Sequence, residues 1–93
     1  MIRSFADVAT RDFWNTGKSR RLPSTLLSAA RRRLQVFDAA TRLGDLRMPP
    51  GNRLHALSGD REGQHAISVN DQYRICFVWR EGDAFEVEIT DYH

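Results

Sequence analysis

Tyr73-Arg74-Ile75-Cys76-Phe77-Val78-Trp79 interleaves four large apolar residues with Arg74, Cys76 and Val78. Successive side chains of a strand point to opposite faces, so this stretch is apolar on nearly both sides. It belongs at the centre of a sheet. Working outward, Asn70-Asp71 and Glu81-Gly82-Asp83 supply turns on either side of it. His65, Ile67 and Val69 alternate before the first turn. Phe85, Val87 and Ile89 carry a last strand after the second, toward Asp91-Tyr92-His93. Arg53 to Leu57 reads as one more strand, and Ser58 to Gly63 as the loop that follows it.

Upstream the period changes. Ile2 to Phe5 forms a short opening strand, and Asp7 is placed to cap a helix through Val8, Phe13 and Trp14, with Gly17 as its stop. Lys18-Ser19-Arg20-Arg21 is a basic connection. Pro23 fits the first turn of a second helix, where a missing N–H costs no intrahelical bond. Leu27, Ala30, Leu34 and Phe37 then share one face. Arg31, Arg32 and Arg33 fan around that helix, so at least one packs its stem along the apolar edge. Gly44, Pro49, Pro50 and Gly51 mark a long loop. The expectation is one α+β domain over residues 1–93, with two N-terminal helices packed on one face of an antiparallel β-sheet.

The chain has 93 residues, which suits a single domain, and its one cysteine excludes an internal disulfide. No apolar run approaches the roughly 20 residues of a membrane span. The opening Met1-Ile2-Arg3-Ser4-Phe5 lacks the apolar stretch of a signal peptide, so a cytoplasmic protein with no membrane association is expected. The net charge of +2 conceals an uneven distribution. Residues 1–54 carry eleven Lys or Arg against four Asp or Glu, and residues 55–93 three against eight. A basic half joined to an acidic half suits a polyanionic or acidic partner, or simply solvated faces.

Four features bear on chemistry. His55, His65 and His93 show no zinc-ligand spacing, so neither metal nor cofactor is expected. Cys76 reads as a small buried hydrophobe. Arg74, on a central strand, needs a partner: an ion pair with Glu86 or Glu88, or a phosphate held by its fork of donors. Asp91, Tyr92 and His93 end the last strand as three consecutive proton-exchanging side chains, Asp91 and His93 sharing one parity. They read as a reactive trio or as a polar terminus.

Pro50-Gly51-Asn52-Arg53-Leu54, Leu57-Ser58-Gly59-Asp60-Arg61, Val69 to Phe77 and the closing Val87-Glu88-Ile89-Thr90-Asp91-Tyr92-His93 stand in an order and spacing that resembles the HigB toxins of the RelE/ParE superfamily, also called plasmid maintenance system killer proteins. Ile2-Arg3-Ser4-Phe5 and Phe37-Asp38-Ala39-Ala40-Thr41 are similar to the family as well. The resemblance implies a compact α+β toxin that cleaves mRNA at A-site codons on the ribosome, neutralised by a helix-turn-helix antitoxin of the HigA type and meeting operator DNA only through it. It implies attack of a ribose 2′-hydroxyl on the adjacent phosphate, with Arg74 on the phosphate and His93 and Asp91 as acid and base. His55 would be a further proton-transfer or orienting group and Tyr92 a ribose or base contact. Lys18, Arg20, Arg21, Arg31, Arg32 and Arg33 would face rRNA phosphates, or acidic residues of the antitoxin.

Three departures bear on potency. Ser58, Ser68 and Val78 stand where the family pattern favours cations. A weak or selective toxin is therefore expected. The competing expectations are a gyrase-targeting toxin of the ParE kind, and a catalytically weak chain that acts mainly by binding its antitoxin.

Overall fold

In the computed structural model, which describes residues 1–91, Asp7 caps helix α1 (Val8–Thr16) as its position predicts. Its carboxylate accepts the Thr10 backbone N–H at 2.9 Å. Gly17 ends the helix at φ 75°, and the Arg31 guanidinium packs against the space a Cβ would occupy there. Helix α2 (Leu27–Ala39) buries Ala30, Leu34 and Phe37. Pro23 lies ahead of a 3-10 turn, Ser24–Leu26, that leads into α2, instead of in the helix's own first turn. Its ψ of 141° is extended, so the chain turns helical only after it.

The sheet comprises β1 (His55–Ala56), β2 (His65–Ser68), β3 (Tyr73–Arg80) and β4 (Asp83–Asp91), in that spatial order and antiparallel throughout. As expected, β3 is paired on both sides. Helices α1 and α2 cover one face. There Phe37 meets Phe77 edge-on at 4.6 Å between ring centroids, within a core that includes Phe13, Leu34, Ile67, Ile75, Val87 and Ile89. Leu46, from a 3-10 segment Leu43–Arg47, is also fully buried. Asn52 pins the loop around it, its Nδ2 donating to the Leu46 and Met48 carbonyls at 3.1 Å each.

Three expectations need correction. The strand expected over 53–57 shrinks to two residues, because Arg53 adopts φ 51° in closing a 3-10 turn, Pro50–Asn52. The opening segment makes isolated parallel bridges, Ile2 to Ala84 and Phe5 to Val87, instead of a strand. Backbone hydrogen bonds join Met1, Arg3, Ser4 and Ala6 to Ala84 and Val87. The expected alternation of Phe85 with Val87 fails at a β-bulge. Cys76 pairs Glu88 while Val78 pairs Phe85, and the extra residue is accommodated with Glu86 at φ 52°. Ala84 and Val87 are therefore both buried, whereas Phe85 turns away and takes the Arg80 guanidinium over its ring at 4.6 Å.

Arg21 fastens α1 to the edge of β4. It donates to Asp7 at 3.1 Å and to the Ile89 carbonyl at 3.0 Å, while the Ile89 N–H donates to Thr10 Oγ1 at 3.1 Å. Burial pushes the Asp7 carboxyl up, but the Thr10 hydrogen bonds and the Arg21 charge overcome it and leave the pKa below 3.8. Asp7→Ala should cost about 1–2 kcal/mol at neutral pH. With the native pKa depressed, that stability is present above the unfolded carboxyl value of about 3.9 and lost as pH falls through the native one. Urea titrations of both proteins should accordingly converge in strong acid.

Candidate active site on the open sheet face

Pairing register places side chains on the face that the helices leave open. His55 opposes Ala66, Ala66 opposes Cys76, and Cys76 opposes Glu88, so these four form one row across all four strands. The next row is Ser68, Arg74 and Thr90. At about 4.8 Å per strand, the His55 and Cys76 backbones stand about 10 Å apart, with Arg74 about 7 Å further along its strand. Both His55 and Arg74 thus belong to one face, which the sequence alone left undetermined.

His55 is exposed, and its Nδ1 lies 2.8 Å from the Arg53 carbonyl. A carbonyl only accepts, so Nδ1 carries the proton and Nε2 is the nitrogen left for proton exchange. The left-handed turn at Arg53 that shortens β1 also brings this carbonyl to the ring.

The connection between β1 and β2 lies over the same face. From its 3-10 turn, Gly59–Arg61, the Arg61 Nη1 reaches Glu88 Oε1 at 2.7 Å and Gln64 Oε1 at 3.0 Å. Glu88 holds the Arg61 guanidinium above its ordinary pKa. Cys76 is fully buried in the row below. Burial pushes its thiol up, while Arg74 and Arg61 both pull it down. The cysteine behaves as the small buried residue expected of it, and its environment locates both guanidiniums on this face. Glu88 had been expected only as a partner for Arg74, whereas its carboxylate takes Arg61. Arg61 was not among the expected site residues. Its one sequence signal is a charged turn bracketed by Gly59 and Gly63, which says nothing of what the turn reaches.

The remaining expected residues are not gathered there. Asp91 pairs in register with Tyr73, and alternation puts it on the helix-bearing side of the strand, with Ile89; its Oδ2 accepts the Gln72 amide at 3.0 Å. It is therefore not on the face that carries Arg74. Tyr92 and His93 lie outside the described residues. Of the six basic residues assigned to RNA, two do structural work. Arg21 forms the clamp on β4, and Arg33 donates from Nε to the Ser68 carbonyl at 2.8 Å and from Nη1 to the Ala29 carbonyl at 3.3 Å. Burial, then the neighbouring Arg32, push the Arg33 pKa down. Lys18, Arg20, Arg31 and Arg32 are exposed on the helical layer and its connecting loop. The sheet stands between that layer and the row of His55. Among the described residues no three His, Cys, Asp or Glu are grouped to hold a metal ion, and no helix is long and apolar enough to cross a membrane.

The same architecture occurs in the solution structure of a conserved hypothetical protein, HP0894, from Helicobacter pylori. The TM-score is 0.61 over 99% of this chain and 96% of that one, at 9% identity, a likeness of fold alone. Residues 3–93 match the family described as the RelE-like toxin of type II toxin-antitoxin system HigB. Toxin HigB-1 of Vibrio cholerae is 42% identical over 85 residues, 90% of each chain. Endoribonuclease HigB of Proteus vulgaris is 36% identical over 93 residues, the full length of both. The chain belongs to the HigB family of RelE-like toxins of type II toxin–antitoxin systems.

Proposed function

We propose that this chain is an endoribonuclease that cuts mRNA at A-site codons on the ribosome, and that a helix-turn-helix antitoxin of the HigA type holds it inactive. The full-length relative named Endoribonuclease HigB supports the nuclease reading. The observation that carries it here is the placement of His55 and Arg74 on one open sheet face. In the reaction a ribose 2′-oxygen forms a bond to the adjacent phosphorus and the bond from phosphorus to the 5′-oxygen breaks. The products are a 2′,3′-cyclic phosphate and a 5′-hydroxyl. Arg74 offsets charge on the phosphorane through its fork of donors. The Nε2 of His55 is oriented for proton transfer, and the terminal Tyr92 and His93 supply the other proton-exchanging groups, Asp91 standing on the helix-bearing side of β4. The exposed Lys18, Arg20, Arg31 and Arg32 meet rRNA phosphates on the opposite layer, or acidic residues of the antitoxin.

Incubation with programmed ribosomes tests the reading. The expected result is mRNA cut in the A-site codon with cyclic-phosphate ends, no cutting of the same mRNA without ribosomes, and suppression by a HigA-type antitoxin. Intact mRNA together with blocked gyrase supercoiling would assign the ParE-like activity instead.

A further inference from the structure

The acidic half of the chain has three arginines. Arg80 lies over the Phe85 ring near the end of β3, and the other two, Arg61 and Arg74, both act on the Cys76 thiol. We propose that Arg61 is a second phosphate-binding cation of this face, positioned and partly neutralised by Glu88. The inference rests on the nuclease reading and adds to it a residue and a means of setting its strength.

Placement carries the argument. Arg61 comes from the connection between β1, which bears His55, and β2, and it reaches β4 across the row that contains Cys76. Its ion pair with Glu88 is partly open, with side-chain exposures of 31% and 22%. A guanidinium carries five donors, and among the described residues both of its contacts run through Nη1. The Nε and Nη2 edge remains for the parallel hydrogen bonds that a phosphate accepts. The Glu88 carboxylate lies one row from Arg74 and would repel a phosphate placed between the two guanidiniums. Ser58, Ser68 and Val78 supply no charge to this face. Arg61 restores one cation there, and Glu88 cancels part of it. Ordinary structural pairing and substrate binding differ in sign when Glu88 is neutralised, which makes the two separable.

The test measures cleavage on programmed ribosomes by wild type, Arg61→Gln, Glu88→Gln and the double variant, over a series of salt concentrations. Arg61→Gln should raise KM at least about tenfold, in keeping with a lost charge-assisted hydrogen bond. Its log–log salt slope should be shallower by about 0.7, the value for one single-strand phosphate contact. Glu88→Gln should lower KM severalfold and steepen that slope, and the double variant should match Arg61→Gln. A pair that merely holds the loop predicts loss in both single variants, and a gain in Glu88→Gln cannot arise from misfolding. Any pattern other than opposite shifts overturns the inference while wild-type cleavage keeps the nuclease reading intact. A wild-type protein that cuts no mRNA on ribosomes overturns both.

Discussion

Arg74→Gln should lower the single-turnover rate of mRNA cleavage about 10²–10³-fold while the protein stays folded, the loss typical of removing one donor aimed at developing charge. Arg74 sits mid-sheet between Ser68 and Thr90, on the face of His55, and β3 is paired on both sides. Its backbone is therefore fixed by two ladders whatever side chain it carries. The side chain, unlike its neighbours Ile75 and Phe77, adds nothing to the helix-side core. Arg74→Lys should recover part of the rate, since it keeps the charge but loses the bidentate fork. KM should change less than the rate, because the phosphorane needs the cation more than the ground-state diester does. Cleavage by Arg74→Gln within about threefold of wild type, with circular dichroism unchanged, would remove Arg74 from the mechanism.

The second large effect is on stability. Phe37→Ala should cost about 3–5 kcal/mol, a sizeable part of the roughly 5–15 kcal/mol that holds a small domain together. Phe37 has no exposed surface, and its ring meets Phe77 edge-on at 4.6 Å where α2 crosses the central strand. The truncation removes that aromatic pair and leaves a cavity against Phe77, whose strand is held by ladders on both sides and relaxes little. Phe37→Leu should cost clearly less, since most of the volume is kept. Urea titration would show a lowered midpoint at a similar slope. A loss below about 1 kcal/mol would mean that the core is not organised around this contact.

How much of this was legible in the sequence depended on how local the cause was. The central place of Tyr73 to Trp79 could be read because a strand paired on both sides is apolar at nearly every step, Arg74 apart. Asp7 and Gly17 were legible because a helix end is a matter of a few bonds. The short β1 and the bulge were not, since both depend on non-glycine residues with positive φ, Arg53 and Glu86, and composition does not announce these. That bulge is why Phe85 left the face assigned to it. For the site, Arg74 and His55 stood out as residue types in unusual places, but their common face is a property of register. Arg61 was hidden because its partner lies 27 positions further along the chain. Arg21 and Arg33 looked like free charge because the carbonyls they bind, of Ile89 and Ser68, have no signature in the sequence.

Hydrogen bonds with Met1, Arg3, Ser4 and Ala6 occupy the outer edge of β4 at Ala84 and Val87, and those with Thr10 and Arg21 occupy it at Ile89. At the other end of the sheet, β1 is two residues long. Among the described residues neither margin leaves a run of backbone groups for strand addition, which protects the chain from edge-to-edge aggregation. It also bears on how a partner takes hold. An antitoxin that meets these margins finds little strand to extend, which favours recognition of side chains, on the arginine-bearing helices or over the open face itself. Only the second of these would shut out substrate directly.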